Sequence, residues 1–338
     1  MNLSNITKEI EQIISEALPD ANEYPSHIVE AMNYAMTAGG KRIRPVFMFL
    51  SYAAVSGADF KSSNLPSVNE NVGEVKIAAG SKTYAESGSS AEYELLKGFL
   101  AAIEMIHTHS LIHDDLPALD NDSVRRGRPT VHVQFDESTA ILAGDALLNR
   151  AYETCNLAFD AGVDAVKDEE ELFLRKAFQD SLRILTDKTG INGMLGGQGL
   201  DVELSGQSMT DEQRDYINKK KTCALIEAPI MIGATLAGAS KDVIDELERA
   251  GEMIGMAFQV EDDILDVIGD AEKLGKDVHQ DERNEKNTYV ARYGIDAARE
   301  YVKEESGKAV DIILTSLPDN EYRALLIELI NSLVYRES

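Results

Sequence analysis

The sequence predicts an all-α fold, and three features carry that expectation. Apolar residues recur at three- and four-residue spacing through most of the 338 positions. No run alternates apolar and polar residues with β-branched enrichment between turn pairs, so little strand is expected. Gly39-Gly40 and the Gly-, Ser- and Asn-rich stretch from Ser56 to Ser90 break the chain between such runs.

In chain order, "IEQIISEAL" is the first amphipathic run. Gly39-Gly40 break the chain before "PVFMFLSYAAV", where Pro45 suits the first turn of a helix because its missing N–H would have no intrahelical acceptor there. Ser56 to Ser90 is polar, rich in Gly, Ser and Asn, and reads as a long connection. "YELLKGFLAAIEMIHTHSLI" and "AILAGDALLNRAYETCNLAF" are long helical runs, with Ala161 to Glu171 as a second, acidic loop. "LIEAPIMIGATLAGA" and "VIDELERAGEMIGMAFQVEDDILDVI" complete the set. The helices on both sides of the 56–90 connection need partners, so the chain is read as one domain over 1–338.

At 43% hydrophobic the chain can bury a substantial core. Its formal net charge of −26 argues against general nucleic-acid binding, which needs basic surface. A phosphate-bearing ligand would meet long-range repulsion unless cations and a local basic cluster offset it. Cys155 and Cys223 form no CxxC and read as small buried apolar residues. The first residues show no basic segment followed by an apolar core, and nowhere do ~18 apolar residues run together, so no signal peptide or membrane span is expected. A cytoplasmic protein is the expectation.

Two acidic motifs stand out. In "SLIHDDLPALDNDSVRRGRPTVH", Asp114, Asp115 and Asp120 are spaced DDxxxxD at the end of an apolar helix, which Pro117 should end or kink. In "FQVEDDILDVIGD", Asp262 and Asp266 share one helical face, with Asp263 about 100° round and Gln259 on the near side. Like charges at that spacing destabilise a helix slightly. Hard oxygen ligands of this kind suit Mg²⁺, which keeps some waters and binds phosphate oxygens directly. A solvated acidic face would explain either motif alone. Apolar neighbours on both sides and the presence of two motifs argue against it.

The cations complement these carboxylates. "GGKRIRP" places Lys41 and Arg44 on one side of a turn feeding a helix N-terminus, which already favours anions. Arg125 and Arg126 follow the first acidic motif, and guanidinium forks bind phosphate bidentately. Lys221-Thr222, Lys276 and Lys286 extend the set. His107, His109 and His113 read as a polar helix face rather than a zinc site, there being no HExxH and no cysteine nearby. His113-Asp114 also suggests an HD-type phosphohydrolase, which would leave the second acidic motif without a role. With no Ser-His-Asp or Cys-His order, Walker loop or GxGxxG, the inventory suits a polyphosphate head with an apolar tail, and metal-assisted departure of diphosphate.

In order along the chain, "GGKRIRP", "SLIHDDLPALDNDSVRRGRPTVH", "LAGDALL", "GGQGLDVE", "KTCALIEAP" and "GMAFQVEDDILDVIGDAEKLGKD" resemble the motifs of the trans-isoprenyl diphosphate synthase (polyprenyl synthetase) family, most of all its bacterial farnesyl diphosphate synthases. The resemblance runs from about residue 25 to the end. It implies an orthogonal helical bundle around a central cavity (the isoprenoid synthase fold), a homodimer, and head-to-tail condensation of an allylic diphosphate with isopentenyl diphosphate. It also implies three Mg²⁺ ions with substrate bound, Mn²⁺ being the alternative ion.

By position, Asp114 and Asp120 would ligate Mg²⁺ on the allylic diphosphate with Asp115 in support, and Asp262, Asp263 and Asp266 would hold a further ion. Arg125, Lys221 and Lys276 would hold the allylic diphosphate, with Lys286 among the further substrate-binding cations. Thr222 and Gln259 would border the reacting carbons. Lys41, Arg44, His107 and Arg126 would hold isopentenyl diphosphate. His109, with Ser110 after it, would floor the pocket into which the product grows.

A histidine floor, smaller than the tyrosine of bacterial farnesyl synthases, points to a fifteen-carbon product, with a twenty-carbon product as the alternative. Four features depart from the family pattern: "NDS" at 121–123, Cys223 after Lys-Thr, His279-Gln280, and a Ser56–Ser90 connection longer than the family leads one to expect. A terpene cyclase would lack "GGKRIRP". A non-catalytic subunit of a heteromeric synthase would have lost one acidic motif.

Overall fold

A computed structural model describes residues 2–22, 25–57, 90–268 and 288–334. It is helical almost throughout. Most of the 56–90 connection, together with Lys276, His279, Gln280 and Lys286, lies outside the described residues. Helix α1 (Leu3–Ala17) starts where the Asn2 side chain accepts from the Asn5 N–H at 3.0 Å and buries Ile6, Ile10, Ile13 and Ile14 on one stripe. Next come α2 (Ser26–Met36) and α3 (Ile43–Ser56), the latter buried along most of its length and carrying Pro45 in its first turn. Helix α4 (Ser90–Asp114) stops at Asp114, three residues before Pro117, as the proline predicts.

Two short strands, β1 (Val124–Arg125) and β2 (Arg128–Pro129), pair antiparallel with Arg125 opposite Arg128. Their two-residue turn holds Arg126 and Gly127 at φ 54° and 72°, the left-handed pair that matches the twist of a tight hairpin. Pairing this short leaves no alternation for a sequence pattern to show. After α5 (Val131–Gln134) the Asp136 carboxylate caps α6 (Glu137–Asp164), accepting from the Thr139 N–H at 2.8 Å.

The acidic loop expected over 161–171 is a correction. Helix α6 runs on to Asp164 and α7 (Asp168–Thr189) begins at Asp168, leaving only 165–167 between them. Asp168, Glu169, Glu170 and Glu171 form the first turn of α7, where carboxylates complement the exposed N–H groups of a helix start. The acid-rich composition reflected a helix N-terminus.

Helices α8 (Met194–Glu203) and α9 (Asp211–Ile217) follow, α9 opening on a capping box of Thr210 and Gln213. The segment Asn218–Cys223 winds as π-helix and leads directly into α10 (Ala224–Leu236), every residue of which is buried. Helix α11 (Lys241–Ile268), α12 (Tyr289–Tyr293), α13 (Ile295–Ser316) and α14 (Glu321–Val334) complete the described chain. The long α4 packs along α6, α10 packs against α3, α7 and α11, and α11 packs against α13.

Full burial of side chains such as Phe99, Ile230 and Leu326 contributes about 1.5–3 kcal/mol each. Close approach of α11 to the start of α10 needs glycine at Gly255, where a Cβ would lie 2.6 Å from the Cys223 Cα. Lys188 of α7 ties this wall together, donating to Glu227 of α10 and, at 2.5 Å, to Glu248 of α11. No helix among the described residues is long and apolar enough to cross a membrane.

Candidate active site

The first acidic motif is assembled by a turn that undoes the spacing Pro117 imposes. Past the end of α4 the chain folds back, so that the Asp120 N–H donates to the Asp114 carbonyl at 2.9 Å and the Asn121 N–H to the Leu116 carbonyl at 3.1 Å. Asp120 therefore stands beside Asp114 although it lies six positions further along the chain. Burial raises the Asp114 carboxyl above its usual range; Lys221 and Arg125 pull it down, and Asp120 and Asp201 push it up. One Asp114 oxygen accepts from Gln198 Nε2 at 2.8 Å, and Lys221 Nζ donates to Asp201 Oδ2 at 2.6 Å. Gln198 and Asp201 belong to "GGQGLDVE" on α8, and residue pattern alone assigns neither of them a role at the site. The cue was available: two polar groups in a glycine-rich run that can approach its neighbour closely. A Cβ at Gly197 would lie 2.4 Å from the Lys221 backbone nitrogen.

Asp115 faces the hairpin. It is 3% exposed and accepts from Arg125 Nε at 2.6 Å, while Arg125 Nη2 reaches Asp122 at 3.4 Å. Burial pushes its carboxyl up to about 6 against the pull of Arg125. The hairpin thus fixes Arg125 against the acidic motif and turns Arg126 the other way, where its Nη1 donates to the Gly39 carbonyl.

That second direction leads to a basic cluster. Arg44, in the first turn of α3, is depressed to about 10, by burial first, with Glu104 and Asp262 opposing and Arg126 assisting. The influence of Asp262 puts the second acidic motif within electrostatic reach of Arg44. His107 on α4 is held far below its ordinary range by burial and by Arg44, Arg126, Arg125 and Arg42, so it is a neutral imidazole at pH 7. Arg44 Nε and His107 Nδ1 are both buried without a hydrogen-bond partner among the described residues. Buried polar groups left in this state are costly, and a ligand diphosphate would satisfy them. Lys41 is exposed at the lip of the same turn.

On α11, Asp262 is half-buried and Asp263 and Asp266 are buried. A relay joins this helix to the π-helical segment. Thr222 Oγ1 donates to Gln259 Oε1 at 3.0 Å, Gln259 Nε2 donates to Asp263 Oδ1 at 3.1 Å, and the Tyr289 N–H donates to Asp263 Oδ2 at 3.2 Å. The relay fixes which way the Gln259 amide points. The π-helical winding sets the Lys221 and Thr222 side chains at a local disruption of the helix, a feature common at functional sites.

His109 is 4% exposed and neutral, its ring depressed to about 4 by burial and by His113. Its Nδ1–H donates to the Gly144 carbonyl of α6 at 3.0 Å, and the His113 Nε2–H donates to the Ile141 carbonyl at 3.1 Å. The two rings meet edge to face at 4.6 Å. Ser110 Oγ donates to the His107 carbonyl at 2.9 Å.

Among the described residues no three His, Cys, Asp or Glu side chains converge tightly enough to hold a metal ion by themselves. The donor set nevertheless fits Mg²⁺, which takes one or two carboxylates and completes its shell with water and substrate phosphate oxygens. Asp114 with Asp120 offers such a pair of hard donors.

Comparison with known proteins agrees with this geometry. The profile of the polyprenyl synthetase family matches residues 25–312. The farnesyl diphosphate synthase of Escherichia coli is 36% identical over 89% of this chain and 87% of its own. A large subunit of the chloroplastic heterodimeric geranylgeranyl pyrophosphate synthase of Arabidopsis thaliana is 34% identical over 97% of this chain and 77% of its own. A geranyltransferase of Helicobacter pylori, solved in complex with magnesium and isoprenyl diphosphate, superposes with a TM-score of 0.73 at 27% identity, covering 98% of this chain and 95% of that one.

Proposed function

The chain belongs to the trans-isoprenyl diphosphate synthase (polyprenyl synthetase) family, and on that premise we propose that it condenses isopentenyl diphosphate head to tail with dimethylallyl and geranyl diphosphates, using Mg²⁺ and stopping at farnesyl diphosphate. The observation that carries the chemistry is Asp120 folded back onto Asp114, with Lys221 and Arg125 acting on the Asp114 carboxylate and with Arg44 Nε and His107 Nδ1 buried without a hydrogen-bond partner among the described residues. Carboxylates and cations mixed in this way suit two diphosphates, one held largely through metal and one held directly.

Asp114 and Asp120 would hold Mg²⁺ on the allylic diphosphate, with Asp262, Asp263 and Asp266 on a further ion. The magnesium complex of the Helicobacter pylori relative supports that choice of metal. When bound, Mg²⁺ supplies charge neutralisation for a departing diphosphate. Arg125 and Lys221 bind and orient the same group. Its allylic C–O bond breaks, and the diphosphate leaves with the electron pair. The Thr222 hydroxyl proton is committed to Gln259, which would leave the hydroxyl's lone pairs available to the allylic cation. Arg44, Arg126, Lys41 and His107 hold isopentenyl diphosphate so that its double bond attacks. A C–C bond forms, and the released diphosphate accepts the proton whose loss restores an alkene. No protein nucleophile takes part.

The fifteen-carbon end point rests on His109, anchored to α6 in the position the family uses as a floor. Relatives making farnesyl and geranylgeranyl diphosphates are similar to this chain at like identity, so the product must be measured. Purified protein with Mg²⁺, labelled isopentenyl diphosphate and dimethylallyl diphosphate should yield a fifteen-carbon alcohol after dephosphorylation and chromatography. His109→Ala should shift the main product to twenty carbons or more. A wild-type product of twenty carbons would overturn the farnesyl assignment, and an unchanged product in the variant would move the floor elsewhere.

Gly197→Ala tests the α8 contact. Its Cβ would displace the Lys221 backbone, so kcat/KM for the allylic substrate should fall by roughly ten- to a hundredfold with unchanged helical circular dichroism. Wild-type kinetics would show that the contact relaxes harmlessly. We also propose a homodimer, supported by the exposed Leu142 and Leu157 on α6 and Leu195 and Val202 on α8. Light scattering coupled to size exclusion reads the mass directly.

A further inference from the structure

The turn that presents Lys41 and Arg44 is anchored by a buried ion pair. Arg42, between them, is 5% exposed and sits at φ 48°, a left-handed conformation unusual for a residue with a side chain. Its guanidinium points inward. Nη1 donates to Glu104 Oε1 at 2.7 Å and Nη2 to the Met36 carbonyl at 2.7 Å. Glu104, on α4, is 2% exposed and lies one turn before His107. From the other side Arg126 donates to the Gly39 carbonyl, and its guanidinium fills the space where a Cβ on Gly40 would be, 2.9 Å away. Residues 39–42 are therefore gripped from within by Arg42 and from without by Arg126. The left-handed residue is thus the one whose side chain is bound to Glu104 and to the Met36 carbonyl, and Lys41 and Arg44 stand on either side of it.

The Glu104 carboxylate has a second effect. It is the largest favourable influence on the charged forms of both Arg44 and Arg126. Three guanidiniums and a neutral imidazole would repel or loosen without a counter-charge among them. A lone carboxylate in the apolar run "FLAAIEMI" is the sequence trace of this arrangement.

We propose that Glu104 is a positioning residue for the isopentenyl diphosphate subsite, acting through Arg42 to fix the turn that presents Lys41 and Arg44. The proposal rests on the functional reading above, so binding and turnover are measured separately. The main variant is Arg42→Met with Glu104→Gln, which removes both partners of the ion pair together rather than stranding either one, while Arg44 and Arg126 lose the same counter-charge. Isopentenyl diphosphate binding is measured by calorimetry in EDTA, with KM for each substrate measured in Mg²⁺.

The double variant should bind isopentenyl diphosphate about tenfold more weakly and show a matching rise in its KM. The allylic KM should stay within about twofold and the melting temperature within about 5 °C. Glu104→Gln alone keeps an acceptor for Arg42 but removes the counter-charge to Arg44 and Arg126, so it should recover only part of the affinity, and its difference from the double variant reads the share carried by the Arg42 turn. Unchanged binding in the double variant, or equal shifts in both KM values, overturns the proposal, as does a wild type that fails to bind isopentenyl diphosphate. A wild type that binds it but turns over no allylic diphosphate refutes the functional reading and leaves the positioning role to the binding data.

Discussion

Asp114→Ala is expected to lower turnover by roughly a thousandfold while leaving the melting temperature unchanged or slightly raised. The loss of rate follows from position. Asp114 ends α4, beside Asp120, and its carboxylate is where Gln198, Lys221, Arg125 and Asp201 converge in contact or in charge. Removing it takes a hard donor from the proposed Mg²⁺ site and leaves the allylic diphosphate with uncompensated repulsion from its acidic neighbours. The stability expectation follows from the raised carboxyl. Burial disfavours its ionised form, so at neutral pH the folded chain carries a cost that the alanine variant lacks. Asp114→Asn should behave similarly in rate, because an amide can keep the Gln198 contact but not the charge. The check is single-turnover kinetics across a Mg²⁺ titration together with thermal melts. Near-normal turnover at saturating metal would remove Asp114 from the metal site.

Arg44→Ala should raise the KM for isopentenyl diphosphate by roughly a hundredfold, the size expected for losing charge-assisted hydrogen bonds to a diphosphate in a buried site. Although burial depresses Arg44 to about 10, it remains cationic at pH 7. Its Nε has no hydrogen-bond partner among the described residues, so the side chain is held charged and under-satisfied until an anion arrives. Arg44→Lys should recover only part of the affinity, since an ammonium cannot offer a planar fork. Initial rates with each substrate varied in turn separate the subsites. A larger effect on the allylic KM would mean that the two diphosphate sites are interchanged.

Much of the site was legible because its chemistry is written in residue types at short spacing. Asp114-Asp115 before Arg125-Arg126, and Asp262 with Asp266 one helical turn apart, point by residue type alone to a ligand that takes both metal and cations. Gln198 and Asp201 were harder to read, because each acts on a partner far along the chain: Gln198 on Asp114, Asp201 on Lys221. Arg42 illustrates the opposite problem. It stands between two ligand-suited cations and looks like a third, yet its guanidinium is committed to Glu104 and to the Met36 carbonyl. The acid-rich stretch after residue 161 read as a loop from composition, whereas the N-terminus of α7 gave its carboxylates a helical use.

Helical periodicity, the proline after Asp114 and the ordered motifs were determined by the sequence itself, because they depend on local sterics and on the chemistry of neighbouring side chains. Only the tertiary structure decided that Asp120 folds back onto Asp114, that a hairpin sends Arg125 and Arg126 in opposite directions, and that Glu104 sits beneath the basic cluster. Those outcomes depend on which helices pack together and how closely glycines such as Gly197 and Gly255 let them approach. Through-space charge and burial act between groups that the chain order keeps far apart.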